Sequence, residues 1–233
     1  MQFIESSAIG VRAAYLRLSA GSESPDVCLF PMIHIGSPAY YAEVRRRLEA
    51  CDVVLFEGVR SFRAWMLTRA YSIVAYRKSL GLVRQRDALV VPLLSQRNIH
   101  ADVNAEQFSA AWAGVPLYQR VLLLLGAPVY GLFLYLTGTR HSIGRGLNAE
   151  ELESQRDFER FAGTPELENV IATTRDLRLV EEISAVVEKN GVGKRIGIVY
   201  GAAHMRVASR LLTSKYRYRV VESEWITVFD YPA

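Results

Sequence analysis

The sequence is poor in the residues that mark cross-linked or exported proteins. Its 233 residues include only two cysteines, Cys28 and Cys51, and both lie in or beside apolar runs. Two cysteines cannot form a disulfide framework in a chain of this length, so we expect buried thiols in a reducing compartment. The first residues show no basic segment followed by an apolar one, and we therefore expect no secretory signal. These absences favour a cytoplasmic protein.

Acidic residues are missing between Arg60 and Arg86, where arginines and a lysine alternate with aromatic and aliphatic side chains. We predict a helix here. Such a segment either packs on a sheet with its arginines in solvent or lies on an anionic membrane surface. A membrane surface is therefore a candidate partner, and we extend the expected location to a peripheral or partly embedded position at the membrane.

Charge of either sign is absent from Val121 to Gly138. The stretch reaches the minimum length of a membrane span, about 17 residues, but Gly126, Pro128 and Gly131 interrupt it. A single span would also place the two halves of one core on opposite sides of a bilayer. We predict a broken helix or hairpin that is buried, covers a cleft or enters one leaflet, in preference to a true span.

The sequence does contain a series of short apolar runs separated by helical patterns. Half of its residues are hydrophobic and its net charge is +4, which suits a domain with a sizeable core. We predict an α/β fold, with a central, mostly parallel or mixed sheet flanked by helices. The chain would be one domain, residues 1–233, with a helical apolar insertion at about 60–147. Strands are predicted at 13–18, 27–35, 52–56, 88–94 and 195–200, and a helix begins at Pro38.

Three reactive side chains stand directly after predicted strands. His34 ends the second strand, Glu57 follows the third, and His204 follows the strand at 195–200. The crevice beyond the carboxyl ends of parallel strands is where α/β folds place reactive groups. Two imidazoles and a carboxylate are a sufficient ligand set for a divalent metal with an open position. Each histidine taken alone is more often a core or capping residue, and that interpretation stays open.

Three further residues are candidates for the same site. Two of them follow the strand predicted at 88–94, namely His100 and, two residues later, Asp102. It could instead cap the helix predicted from Ala105. Arg175 could bind Glu57 or a substrate carboxylate, or it could belong to a surface face of ion pairs.

The glycines of Gly191-Val-Gly193-Lys194 invite comparison with a phosphate-binding loop. A dinucleotide fingerprint follows a strand and opens a helix. Here the glycines precede a predicted strand, so they end the previous helix instead. We expect neither nucleotide binding at this loop nor a nucleic-acid partner.

The ordered motifs resemble the TraB/PrgY/GumN family, which is related to the Tiki metalloproteases and more distantly to the erythromycin esterase and ChaN-like proteins. That family has Gly-x-x-His after its first strand, a strand ending in Glu, a helix with Arg, and a second Gly-x-x-His. The matching stretches here are Pro31-Met-Ile-His34, Phe56-Glu57-Gly58, Thr174-Arg175-Asp176 and Gly201-Ala-Ala-His204. Proline stands at the first family glycine, and it lacks an N–H and fixes φ. His204 is therefore the safer site residue.

The resemblance implies a metal-dependent, peptidase-like hydrolase acting on a peptide or small-molecule substrate. Its metal ion, of the Mn, Co or Zn class, would be held by His34, Glu57 and His204, and its catalytic residues would be these three and Arg175. Whether the chain is an enzyme stays open at this point. The alternatives are a metal-free, esterase-like hydrolase, a haem or peptide carrier without turnover, and a membrane-associated interaction protein with structural histidines.

Overall fold

The computed structural model describes residues 1–59, 61, 72–91, 97–152 and 169–231, with only the backbone for 147–152, 169 and 171. Short turns of 3-10 helix lie at Ile73–Tyr76, Lys78–Leu80 and Ala202–His204, and a π-helical turn lies at Asn169–Thr173. The described strands are β1 (Ile4–Ser6), β2 (Gly10–Ser19), β3 (Asp26–Met32), β4 (Ile35–Gly36), β5 (Val53–Phe56), β6 (Val83–Arg84), β7 (Arg97–His100), β8 (Arg195–Gly201) and β9 (Arg219–Asp230). The described helices are α1 (Pro38–Leu48), α2 (Gln85–Ala88), α3 (Ala105–Gly114), α4 (Leu117–Thr137), α5 (Arg140–Leu152), α6 (Thr174–Lys189) and α7 (Met205–Ser214).

A mixed sheet forms the centre of the fold, in the order β1-β2-β3-β8-β5-β7, with β9 also paired to β2. Strands β3, β8, β5 and β7 run parallel to one another, whereas β1, β3 and β9 each pair with β2 antiparallel. The predicted α/β fold with a mostly parallel or mixed sheet is therefore confirmed. The four parallel strands end at the same edge, and this edge carries the candidate site.

Pro31 is accommodated because β3 loses one of its neighbours before that residue. The pairing of β2 with β3 covers Val27 to Leu29, while the pairing of β3 with β8 continues to Met32. Beyond Leu29, β2 pairs with β1 instead. Proline cannot donate to a ladder, and at this point the ladder with β2 has already ended.

Helix α1 fixes the chain that leads to His34. Pro38 stands at its first turn and the Ser37 side chain caps the Tyr40 N–H. The hydroxyl of Tyr40 donates to the carbonyl oxygen of Pro31 at 3.1 Å, and that of Tyr41 donates to the carbonyl oxygen of Ile33 at 2.7 Å. Both tyrosines are buried. Two hydrogen bonds from one helix therefore hold the backbone on the amino-terminal side of His34.

Apolar side chains cover both faces of the sheet. One cluster joins the buried face of α1 to residues of β2, β3 and β9, and it extends to Val74, Leu80 and Leu82. The other cluster joins α6 and α7 to the opposite face. In α6 the buried residues Leu179, Ile183 and Val186 recur at helical spacing. The sheet is thus enclosed on two sides, which leaves its strand ends as the place for chemistry.

The strand predicted at 88–94 is wrong over its described part. Residues 85–88 are helical, 89–91 are not in a strand, and 92–94 lie outside the described residues. The strand that pairs with β5 at the edge of the sheet is β7 instead, in a stretch where we predicted no strand. An edge strand has one open side and tolerates polar residues, so Arg97-Asn98-Ile99-His100 has no apolar pattern. Strand β7 belongs to the central sheet, although its residues fall within the insertion predicted at about 60–147.

The helix predicted between Arg60 and Arg86 is also wrong where the structure describes it. Residues 60 and 62–71 lie outside the described part. The rest forms the turns Ile73–Tyr76 and Lys78–Leu80, then β6 and α2. Gly81 has φ +59°, a left-handed conformation that stops a helix.

The uncharged stretch is a single helix, α4, and the predicted break is absent. The helix continues through Pro128, whose missing N–H costs about 3 kcal/mol. Of its residues only Gln119 and Gly131 are buried, so the buried-core interpretation is wrong as well. By length and composition, α4 is long and apolar enough to cross a membrane, and 6% of its most apolar 18-residue stretch is buried.

Replacement of Tyr41 by phenylalanine tests how firmly His34 is held. The Ile33 carbonyl would lose its buried donor, and we expect the free energy of unfolding to fall by about 1–2 kcal/mol. Denaturant titration measures this. Tyr118→Phe, on the exposed face of α4, is the matched control and should change stability by less than about 0.5 kcal/mol. Equal effects of the two substitutions would contradict the role given to Tyr41.

Candidate functional site

The predicted site residues meet at the carboxyl edge of the parallel strands. His34 follows β3, Glu57 follows β5, Asp102 follows β7, and His204 ends the turn after β8. These strands are neighbours in the order β3-β8-β5-β7. The sheet topology therefore brings together four side chains that are far apart in the sequence.

Glu57 lies at the centre of this group, with a side chain only 8% exposed. Its Oε2 accepts a hydrogen bond from the Gly201 N–H at 2.7 Å and lies 3.5 Å from Nη2 of Arg175. A Cβ at position 201 would lie 3.2 Å from the same oxygen. Glycine at 201 thus lets the end of β8 approach the carboxylate. The glycine of the second Gly-x-x-His motif therefore leaves room for the Glu57 carboxylate.

Asp102 is fully buried and holds Arg175 through two hydrogen bonds. Nε of Arg175 donates to Oδ1 at 3.0 Å and Nη2 donates to Oδ2 at 2.8 Å. The backbone N–H groups of Gly58 and Val103 also donate to this carboxylate. Burial alone would raise the pKa of Asp102, but these donors and the guanidinium charge outweigh it, so the pKa lies below its ordinary value.

Two open alternatives are settled by these contacts. Asn104, not Asp102, caps α3 by accepting from the Gln107 N–H. Arg175 points inward and binds Asp102 and Glu57, whereas the surface ion pairs of α6 are made by Arg178. The carboxylates raise the pKa of Arg175 although its burial acts in the opposite direction. Arg175 therefore carries a permanent positive charge beside Glu57.

His34 stands at the open side of the site, with a side chain 41% exposed. Its Nδ1 lies 3.2 Å from Oε1 of Gln85, and its carbonyl oxygen accepts from the Gln85 N–H at 2.9 Å. Its Nε2 faces Oε1 of Glu57 at 3.9 Å. If Nδ1 donates its proton to Gln85, Nε2 is the ring nitrogen that carries the lone pair.

His204 is buried and is bound by a residue that the sequence did not suggest. Its Nδ1 lies 2.6 Å from Oδ1 of Asp176, the residue after Arg175. Its ring meets the ring of Tyr200 edge to face at 5.1 Å. Its Cδ2, next to Nε2 in the ring, is 3.6 Å from the point where a Gly201 Cβ would lie. Both His204 and Glu57 therefore lie next to Gly201.

Tyr200 lies beneath the site. Its ring is 5.5 Å from Cζ of Arg175, and its hydroxyl has no hydrogen-bond partner in bonding geometry among the described residues. Burial, together with the charges of Asp102 and Glu57, raises the pKa of Tyr200 well above its ordinary value, and Arg175 only partly offsets this. Tyr200 is therefore neutral and forms the floor of the site.

His100, the other additional candidate, contacts the residues before and after Glu57. Its Nε2 lies 2.8 Å from the carbonyl oxygen of Gly58, and its ring packs edge to face on Phe56. The Gly58 N–H is meanwhile bound by Asp102. His100 and Asp102 therefore bind the two backbone groups of Gly58, the residue after Glu57.

The geometry of the described side chains gives the predicted metal site no direct support. Within the described ranges no three His, Cys, Asp or Glu side chains are arranged to hold one ion. The cationic Arg175 lies 3.5 Å from Glu57, and a guanidinium at that distance repels a second cation. The contact of His204 Nδ1 with Asp176 is compatible with a metal on the other ring nitrogen. The metal site held by His34, Glu57 and His204 therefore stays a prediction.

A cleft of about 700 Å³ lies at the opposite edge of the sheet and is a poorer candidate. Its charged lining residues include Arg17, Asp26, Asp52 and Lys194. Arg17 pairs with Asp26 at 3.0 Å and Lys194 pairs with Asp52 at 2.9 Å. The charges of these two pairs balance, and the fifth charged residue of the lining is Arg195.

Comparisons with known proteins identify no relative of this chain. No protein-family model, curated protein or solved structure matches it significantly. The resemblance to the TraB/PrgY/GumN family therefore stays a prediction that rests on the motifs quoted above.

Three of the residues that build the site were not predicted from the sequence. Gln85 and Asp176 orient the two imidazoles, and Tyr200 lies under the carboxylates. Asp176 stands next to a predicted site residue in the first turn of α6, and this adjacency is a signal that could have identified it. Gln85 lies in a short helix at which the sequence has no distinctive pattern.

Replacement of Asp102 by asparagine tests the ion pair. The change leaves Arg175 with Glu57 as its remaining anionic partner, and we expect the free energy of unfolding to fall by about 2–3 kcal/mol near neutral pH. The pKa of Asp102 is lower in the folded protein than in the unfolded chain. Its contribution is therefore complete above about pH 4 and is lost as the pH falls through the folded-state pKa.

The stability difference between the native chain and D102N should therefore shrink in acid. Denaturant titrations across pH 3 to 7, a range chosen to bracket the ordinary pKa of about 3.9, measure it. Asp87→Asn is the control, because Asp87 pairs with Arg84 at the exposed surface and should contribute less than about 1 kcal/mol. A D102N deficit that does not vary with pH would contradict the assignment.

Proposed function

We propose that this chain is a hydrolase in which His34 and Glu57 activate a water molecule at the carboxyl edge of the sheet. The observation that carries the proposal is the 3.9 Å separation between Nε2 of His34 and Oε1 of Glu57. This separation is too long for a direct hydrogen bond. It suits a water oxygen about 2.8 Å from each atom, donating one hydrogen to each.

The surroundings of Glu57 support this proposal. One carboxylate oxygen is occupied by the Gly201 N–H and faces Arg175, so the other oxygen keeps a fixed direction toward His34. The arrangement is that of a positioned carboxylate beside an imidazole, which is a common means of general base catalysis. Arg175 acts here as a positioning residue, because Asp102 takes two of its donors.

The proposed reaction is hydrolysis of an ester or amide carbonyl. The water oxygen forms a bond to the carbonyl carbon while its proton passes to Nε2 of His34. The bond from that carbon to the alkoxy oxygen or amide nitrogen then breaks. The leaving group takes up that proton from the His34 imidazolium, which returns to its neutral form, and the carboxylic acid product releases its own proton to solvent. Glu57 stabilises the imidazolium that forms at His34.

Substitutions at the two water-holding residues test the proposal. We expect Glu57→Gln and His34→Ala each to lower kcat at least about 100-fold, measured on panels of chromogenic esters and peptides. His141→Ala is the matched control, since His141 is exposed and packs on Tyr231, which follows β9 and not one of the four strands β3, β8, β5 and β7. Full activity in E57Q, with an unchanged melting temperature, would exclude Glu57 from the chemistry.

A metal-dependent hydrolase is the second candidate function. It is favoured by the placement of His34, Glu57 and His204 at one edge of the sheet, with Gly201 next to both Glu57 and His204. A divalent ion there would polarise a carbonyl or supply a hydroxide. The positive charge of Arg175 beside Glu57 opposes it.

Metal removal separates the two candidates. For protein purified without an affinity tag, we expect less than one equivalent of bound Mn, Co or Zn and unchanged hydrolysis after dialysis against a chelator. Elemental analysis and the same substrate panel measure both quantities. Activity that is lost on chelation and restored by one of these metals would favour the metal-dependent form. In that event Glu57→Gln and His204→Ala should each lower the metal content.

A further inference from the structure

Helix α4 presents a continuous apolar face to solvent. This outer face is formed by nine residues that are each 46–69% exposed: Leu117, Tyr118, Val121, Leu122, Leu125, Val129, Leu132, Phe133 and Leu136. They recur at intervals of three or four residues and so lie on one side of the helix. A soluble protein rarely exposes so large an apolar surface without a partner.

Both ends of α4 are held by the body of the protein. Near its start, Leu123 and Leu124 pack against a cluster that includes Phe108 and Trp112 of α3. Near its end, Leu134 packs against the main core. Nη1 of Arg77 donates to the carbonyl oxygen of Gly138, directly after the helix, at 2.7 Å. The helix therefore lies along the surface of the domain.

This attachment opposes a transmembrane arrangement. A helix of 21 residues is about 31 Å long, close to the thickness of the hydrocarbon core of a bilayer. A span would place its two ends in water on opposite sides. Contacts at both ends with one folded body require the helix to lie on one side of any bilayer, with its axis near the membrane plane.

The charge around α4 is of one sign. Between Glu106 and Glu150 the sequence has no acidic residue, but it contains Arg120, Arg140 and Arg145. Arg140 donates to the carbonyl oxygens of Leu80 and Asp230, and among the described residues it has no ion pair with a carboxylate. Of the three arginines Arg145 is exposed, whereas Nε of Arg120 is buried. An apolar face in a segment whose only charged residues are arginines complements a surface that is apolar within and anionic outside.

We propose that α4 binds a phospholipid membrane that contains anionic lipids, with its outer face in the interface and its axis parallel to the membrane. A second copy of this chain is a poorer occupant. A two-fold dimer through this face would bring the same arginine-bearing segment of each copy toward the other, with no acidic residue of the segment to pair with. The exposed rings of Tyr118 and Tyr130 suit the boundary between lipid headgroups and acyl chains.

Vesicle flotation of the full chain tests the proposal. Vesicles of phosphatidylcholine alone are compared with vesicles that also contain about 30% phosphatidylserine. We expect flotation with the second kind and much less with the first, and a decrease at high salt. The double substitution Leu125→Glu and Val129→Glu should lower the partition coefficient at least about tenfold. No flotation under any of these conditions would overturn the proposal.

The matched control is Leu177→Glu with Val192→Glu, at residues that are each 61% exposed but lie away from α4. It makes the same change in charge and polarity, and it should float like the native chain. Circular dichroism and melting temperature establish that both variants are folded. Equal loss in the two double variants would assign the effect to net charge and overturn the role of α4.

Two measurements separate the other arrangements. Single cysteines at Leu122, Val129 and Leu136, labelled with an environment-sensitive dye, should report similar shallow depths against quenchers placed along the acyl chain. A deep label at position 129 with shallow labels at the other two would indicate a span and overturn the in-plane orientation. Sedimentation without lipid should give a monomer, and a dimer that the glutamate variant dissociates would assign the face to a second copy.

Discussion

The pairing of Arg175 with Asp102 is the interaction on which the site depends. It joins the first turn of α6 to the end of β7, and the same guanidinium faces Glu57 at the end of β5. A buried carboxylate such as Asp102 requires a counter-ion and hydrogen-bond donors, and Arg175, Gly58 and Val103 supply them. Because Gly58 follows Glu57 directly, the pair also determines where the proposed catalytic carboxylate stands.

Much of the fold could be predicted because buried parallel strands have a simple sequence pattern. The runs that became β3, β5 and β8 are short and apolar, and each ends at a reactive residue. Strand β7 could not be found in this way, since an edge strand is half solvated and its residues are polar. The described part of the segment after Arg60 was misjudged because its apolar residues do not lie on a helix. Val74, Leu80 and Leu82 pack on the core from tight turns, so their spacing does not indicate a helix.

The residues of the site could be predicted from the sequence, but the hydrogen-bond partner of each residue could not. His34, Glu57, Asp102, Arg175 and His204 all lie at the expected edge. The prediction failed to assign Asp176 to His204, because which side chain meets which depends on how far α6 is rotated about its axis. Packing of Leu179 and Ile183 against the sheet fixes that rotation, and a local sequence motif contains no information about it.

Arg175 and Asp176 are consecutive, so they point about 100° apart around α6. One reaches the carboxylates at the ends of β5 and β7, and the other reaches the imidazole after β8. A small displacement of the first turn of α6 would separate both contacts in the same movement. Glu57 would lose its counter-ion just as His204 lost its carboxylate partner. Glu57 and His204 are thus mechanically coupled through α6, and seating of one helix turn sets the surroundings of both.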